Sequence, residues 1–145
     1  MGDISKDVNS SFKDNRTKAL INILYTANWI TGKQNTFFAK FGLSPQQYNI
    51  LRILRGADKP LTMQDVKSRM IDRAPNATRL ADKLCAKQLI ERIPSETDRR
   101  VVQVAITSEG LKLLEDISDN FNDDWLKNIT EKEASQLSDL LDKLR

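Results

Sequence analysis

The chain of 145 residues carries 23 lysines and arginines against 20 acids, one cysteine, no histidine and 39% apolar residues. One domain with a single core is expected, and neither a disulfide nor the usual zinc ligand set can be assembled, so no metal is expected. The lack of histidine removes the commonest general base and the Ser-His and Cys-His pairs of most nucleophilic hydrolases, which sets enzymes and cofactor chemistry behind binding functions. The opening MGDISKDVNSSFKDN has no apolar signal core, and no window approaches about eighteen uninterrupted apolar residues, so a cytoplasmic chain with no membrane span is expected.

From about Arg16 to Lys40, Ala19, Leu20, Ile23, Leu24, Ala27, Ile30, Phe37 and Phe38 recur mostly at threes and fours, which predicts one long amphipathic helix with Gly32 as a point of interruption. Ser44-Pro45-Gln46-Gln47 has the residues of a capping box with proline at the first helical position. A helix from there to about Arg55 buries Tyr48, Leu51 and Leu54, with Gly56 as its stop. Thr62 and Asp65 open a helix of two turns whose inward residues are Met63, Val66 and Met70. Pro75 marks the start of another, PNATRLADKLCAKQL, with Ala77, Leu80, Ala81, Leu84 and Gln88 on one side of the wheel and Arg79, Asp82, Lys83 and Ala86 on the other.

Leu89–Pro94 and Val101–Thr107 are β-prone, and Val102, Val104 and Ile106 alternate. The polar stretch between them, Ser95 to Arg100, predicts a hairpin whose tip carries two adjacent arginines. Thr107 or Ser108 caps a helix in which Leu111, Leu114, Ile117, Phe121 and Trp125 are spaced by threes and fours. Thr130 and Glu133 open the last helix, whose seam is Ala134, Leu137, Leu140, Leu141 and Leu144. The acidic run Glu115 to Asp124 reads as a solvated helix face.

Charge is unevenly placed: residues 1–43 balance at +3, residues 44–107 at +5 and residues 108–145 at −5. A basic centre beside an acidic C-terminal third suggests a lobe for a polyanion joined to a lobe for another partner. The order helix, short helix, exposed-face helix, basic-tipped hairpin is that of a winged helix-turn-helix, in a mainly α chain with a small β wing. Such a unit suits double-stranded DNA, with the third helix in the major groove and the hairpin reaching the minor groove. Asn76, Thr78 and Arg79 can approach base edges and Lys83 a phosphate, while Lys67, Arg69 and Arg73 are divided between phosphate positioning and plain surface. Arg99 and Arg100, beside Asp98, suit a narrow minor groove.

LSPQQYNILRIL, NATRLADKLCAKQLIER and above all DRRVVQVAITSEG resemble the MarR (multiple antibiotic resistance regulator) family of transcriptional regulators over nearly the whole length. The resemblance implies a wing pair at Asp98 and Arg100 and a helix start at Thr107 and Gly110. It also implies a dimerisation lobe from residues 1–43 and 108–145, a DNA-binding lobe at 44–107, and small-molecule binding where the two lobes meet. The homodimer would then use Leu20, Ile23, Leu137, Leu140, Leu141 and Leu144. Trp29, Phe37, Phe38 and Tyr48 are either an effector pocket or an aromatic core. The expected function is a ligand-responsive repressor on a pseudo-palindromic operator, and the alternative is a winged module that binds protein instead of DNA.

Two positions depart from the family pattern. Gln88 stands where glycine is usual, so a non-glycine is expected in the left-handed region, and Ala74 stands where a serine or threonine commonly caps. Cys85, at the edge of the buried stripe and without a second cysteine to resolve a sulfenic acid, is not expected to sense oxidation within the chain, which leaves intermolecular oxidation or a buried thiol.

Overall fold

A computed structural model describes residues 2–73, 76–121 and 125–145. Among them the elements follow as α1 (Ile4–Asp7), α2 (Asn15–Ala39), α3 (Pro45–Ala57), β1 (Leu61–Thr62), α4 (Met63–Arg69), α5 (Ala77–Ala86), β2 (Ile90–Pro94), β3 (Val102–Ile106), α6 (Ser108–Asn120) and α7 (Glu131–Asp142). The architecture is mainly helical with one small antiparallel sheet in the order β1-β3-β2.

Helix starts follow the local chemistry of the sequence. Asp14 caps α2 by accepting from the Thr17 N–H at 2.8 Å, and that bond holds its carboxyl below the ordinary carboxylate value. At α3 the Ser44 hydroxyl accepts from the Gln47 N–H at 3.2 Å while Gln47 Oε1 accepts from the Ser44 N–H at 2.9 Å, which is the expected capping box with Pro45 behind it. Thr62 caps α4 through the Asp65 N–H at 3.1 Å, and Thr130 with Glu133 closes a second full box at α7. Each box or cap satisfies backbone donors that the first turn leaves without a partner.

The ends of elements depart more from expectation. α2 runs unbroken through Gly32, and α3 continues through Gly56 to Ala57, where Asp58 at φ 51° takes the left-handed turn instead. Aspartate tolerates that conformation better than most side chains. Two short elements, α1 and β1, have no periodicity to announce them. Gln88 lies beyond α5 and is exposed, so it does not extend the buried stripe; at φ 60° it adopts the left-handed conformation expected of it.

α6 stops at Asn120, and Phe121 turns to ψ 109°. Trp125 therefore does not lie on α6 as the spacing predicts, although its ring meets that of Phe121 edge to face at 5.2 Å. Ala74 and Pro75, and the acids at 123 and 124, lie outside the described residues.

The core is assembled by α3, α5, β3 and α6 around Ile50, Leu51, Leu54, Leu84, Val104 and Leu114, each at most 1% exposed. β3 pairs with β2 from Ile90 opposite Ile106 to Pro94 opposite Val102, and Leu61 of β1 pairs with Val104 on the other side. In contrast, α2 buries only Phe38 over its 25 residues and α7 buries none. No helix among the described residues is long and apolar enough to cross a membrane.

Glycines at two positions make the packing testable. A Cβ at Gly110 would stand 2.3 Å from the Leu89 carbonyl oxygen and 2.7 Å from Ile106 Cγ1, whereas one at Gly56 meets nothing within 4 Å. Gly110→Ala is expected to destabilise by about 1 to 3 kcal/mol through overpacking. Gly56→Ala is expected to stabilise by roughly 0.5 to 1 kcal/mol through helix propensity. Urea unfolding of both variants checks the opposite signs.

Candidate nucleic-acid interface

α5 is seated by small residues. Ala77 and Ala81 are fully buried with Leu84 along one stripe, which lets the helix lie close on the core and turns its other face to solvent. Thr78, Arg79 and Lys83 are exposed on that outer face, and Asn76 sits at the N-cap with its side chain making no cap hydrogen bond. A free carboxamide, a hydroxyl and a guanidinium therefore surround the positive end of the helix dipole, an arrangement that attracts an anion and offers donors to base edges.

The wing is held from within its own loop. The Ser95 N–H donates to the Val101 carbonyl at 2.8 Å, closing the stem, and the Ser95 and Thr97 hydroxyls lie 3.1 Å apart. Asp98 Oδ1 accepts from the backbone N–H of Arg100 at 3.0 Å, so the aspartate braces the turn and not a guanidinium. The ion pairs among the described residues are Lys18–Asp3, Arg92–Asp82 and Arg145–Asp142. Arg79, Lys83, Arg99 and Arg100 belong to none of them and remain exposed, with their charge available to an external partner.

The four aromatic residues proposed to line a pocket divide. Phe38 stacks on Tyr48 with ring centroids 4.2 Å apart, and Arg52 donates to the Tyr48 hydroxyl at 3.0 Å. These three, with Asn49, Ile71 and Asp72, line a cavity of about 420 Å³. Phe37, one residue before it on the helix, touches the Phe38 ring edge to face at 5.2 Å and extends to Phe41, Phe121 and Trp125 instead of the cavity. Trp29 stands apart, 45% exposed, with the Lys33 ammonium 5.6 Å above its ring. Neighbouring helical positions diverge by more than a quarter turn, so Phe37 and Phe38, although their rings touch, reach on to different partners, and Trp29 reaches neither.

Contacts that sequence reasoning missed are tertiary. Arg92 of β2 pairs with Asp82 of α5, the Lys87 ammonium donates to the Gly42 carbonyl, and the Thr107 hydroxyl donates to the Gln88 carbonyl at 2.7 Å. No periodicity or motif links those partners.

A helix with exposed Arg79 and Lys83 packed on α3 and α4, followed directly by a hairpin whose tip arginines enter no ion pair among the described residues, defines a winged helix-turn-helix protein. The match to known proteins is narrower. A model described as MarR family covers residues 41–101. The chain is 30% identical over 119 residues to the HTH-type transcriptional regulator MhqR of Bacillus subtilis (strain 168), covering 79% of this chain and 81% of that protein. The chain belongs to the MarR family of transcriptional regulators. Among solved structures, a MarR transcription factor from Planctomyces limnophilus is 31% identical with a TM-score of 0.69, covering 91% of this chain and 98% of that one. A mutant MarR from E. coli complexed with operator DNA is 26% identical with a TM-score of 0.75, covering 92% and 99%.

Cys85 is partly buried, and desolvation pushes its thiol above the ordinary value; Arg92 opposes the shift and Asp82 adds to it. A raised pKa leaves less thiolate at neutral pH. Alkylation of Cys85 by iodoacetamide at pH 8 is therefore expected to run several-fold slower in the folded chain than in urea, as followed by intact mass.

Proposed function

We propose that the chain is a homodimeric, sequence-specific DNA-binding repressor that occupies a pseudo-palindromic operator and is released by a small molecule. The observation that carries the DNA contact is the coupling of an exposed N-terminal end of α5, with Asn76, Thr78 and Arg79, to a wing whose tip arginines, Arg99 and Arg100, enter no ion pair among the described residues. In this reading residues 44–107 form the DNA-binding lobe, with Asn76, Thr78 and Arg79 toward base edges and Lys83 toward phosphate. Arg99 and Arg100 enter or flank the minor groove, and Asp98 shapes their turn. The family relation and the operator complex of the similar E. coli protein support the assignment.

Residues 1–43 and 108–145 form the dimerisation lobe. In the chain alone Leu20 is 56%, Leu137 48%, Leu140 63% and Leu144 69% exposed, while Ile23 and Leu141 are half-buried. A second copy covers these residues, because apolar stripes on two helices that bury almost nothing internally constitute a large unpartnered surface. Leu140→Lys with Leu141→Lys is expected to yield monomer or unfolded chain by analytical ultracentrifugation, and a folded dimer would refute the placement.

The effector site is the cavity against Phe38 and Tyr48. Its walls come from α2, α3 and the segment after α4, so a ligand there touches both lobes and can favour one arrangement over another only by binding it more tightly. Duplex selection from a random library tests the reading as a whole. The wild type is expected to recover a palindrome with half-sites roughly 34 to 36 Å apart. Arg99→Ala with Arg100→Ala is expected to weaken or lose that motif. Recovery of no motif at low salt would point to a winged module that binds protein.

A further inference from the structure

Asp82 is an acid on the exposed face of α5, one turn beyond Thr78 and beside Arg79 and Lys83. A carboxylate there opposes a polyanion, yet it is not left alone. Arg92 donates through Nη2 to Asp82 Oδ1, with the two side chains 41% and 55% exposed. In the hairpin register Arg92 lies opposite Val104, which is 1% exposed, so both side chains share the sheet face turned toward the core. From that face the guanidinium reaches α5. Two residues further on, Pro94 pairs with Val102 and the wing loop begins at Ser95.

The Arg92–Asp82 contact is the one side-chain hydrogen bond among the described residues that joins α5 to the strands of the wing. It sits at the stem, below the loop that carries Arg99 and Arg100. A displacement of the stem relative to α5 is magnified at the tip, because the tip lies several residues beyond the fixed point. Elsewhere the hairpin is held at its base, where Thr107 bonds to the Gln88 and Leu89 carbonyls, and along β3 by its pairing with β1; β2 beyond Ile90 has no other side-chain hydrogen bond to α5 among the described residues.

We propose that Arg92 is a positioning residue for DNA binding, which through Asp82 fixes the wing at a set spacing from α5 so that helix and wing tip reach their grooves together. The inference rests on the proposed placement of α5 and the wing on DNA. Arg92 does not itself touch the duplex in this arrangement; its guanidinium is committed to Asp82.

The test is duplex selection with the full chain, wild type beside Arg92→Ala, Arg92→Lys and Asp82→Asn, with melting temperature and the salt dependence of affinity for the selected duplex. Arg92→Ala and Asp82→Asn are expected to keep the central motif read by α5 but lose the A·T preference at the flanks where the wing lies. Each should weaken binding by about three- to tenfold, and the double variant should be no weaker than either single one. Arg92→Lys should restore part of the flank preference. Melting should barely move, since an exposed ion pair contributes little to folding.

Flank preference retained in both single variants would overturn the tether. So would a salt slope that falls by about one unit in Arg92→Ala while Asp82→Asn binds more tightly, because Arg92 would then be a phosphate contact in its own right. A wild type that selects a central motif with no flank preference would overturn the wing contact of the proposed function and the tether with it, and that failure is visible before any variant is made.

Discussion

The structure turns on the joint where α5 ends and α6 begins. Gln88 takes a left-handed conformation at φ 60°, which a non-glycine adopts at a cost of roughly 1 kcal/mol, and the chain then enters β2. Thr107 meets it there: the hydroxyl donates to the Gln88 carbonyl at 2.7 Å and accepts from the Gly110 N–H at 3.1 Å, while the Thr107 N–H donates to the Leu89 carbonyl at 3.1 Å. One residue thus offsets the strain of the turn, caps α6 and continues the sheet. Because a Cβ at position 110 would collide with Leu89, the approach is as close as backbone permits. α5, β2, β3 and α6 leave this point in directions none of them can change alone.

That constraint separates two kinds of surface. On the side of α3 and α5 the core is complete within one chain, as the fully buried Ile50, Leu51, Ala77, Ala81 and Leu84 show. On the other side a long helix, α2, and the final helix, α7, keep leucines in solvent. Helices as short as α7 hold their shape in water mainly through packing of an amphipathic face, and its capping box alone does not supply that. The incomplete half is therefore where an external partner has most to contribute, and the complete half is where a rigid face can be presented.

How much of this was legible in the sequence depended on distance along the chain. Caps depend on residues three apart, so Ser44 with Gln47, Thr62 with Asp65, Thr107 with Gly110 and Thr130 with Glu133 could all be read directly. The outward face of α5, with Thr78, Arg79 and Lys83, followed from the wheel because Ala77, Ala81 and Leu84 fix its inward side. Element ends were less legible: Gly56 continues a helix, and α6 ends at Asn120 although the apolar spacing runs on to Phe121 and Trp125. Contacts between separate elements were not legible at all. Phe38 finds Tyr48 while Phe37 finds Phe121, and Asp82 finds Arg92, because strand register and helix crossing bring them together and neither is written in local pattern.

The basic centre, at +5, is too modest to hold a duplex by charge alone, and this shapes how the proposed function would work. Affinity then comes from placing several contacts at once, so it is sensitive to geometry. In a two-fold dimer the two α5 helices must match a spacing of roughly 34 to 36 Å. The joint at Thr107 makes α6 and α5 move as a unit, and α3 packs against both. A molecule wedged between Phe38 of α2 and Tyr48 of α3 would act at the contact between α2, which the proposal places in the dimerisation lobe, and that unit. In the proposed dimer a small rotation there would displace both copies of α5 in opposite senses, and the mismatch at the half-sites would add across the pair. A rigid joint and an adjustable contact beside it are together what such a response requires.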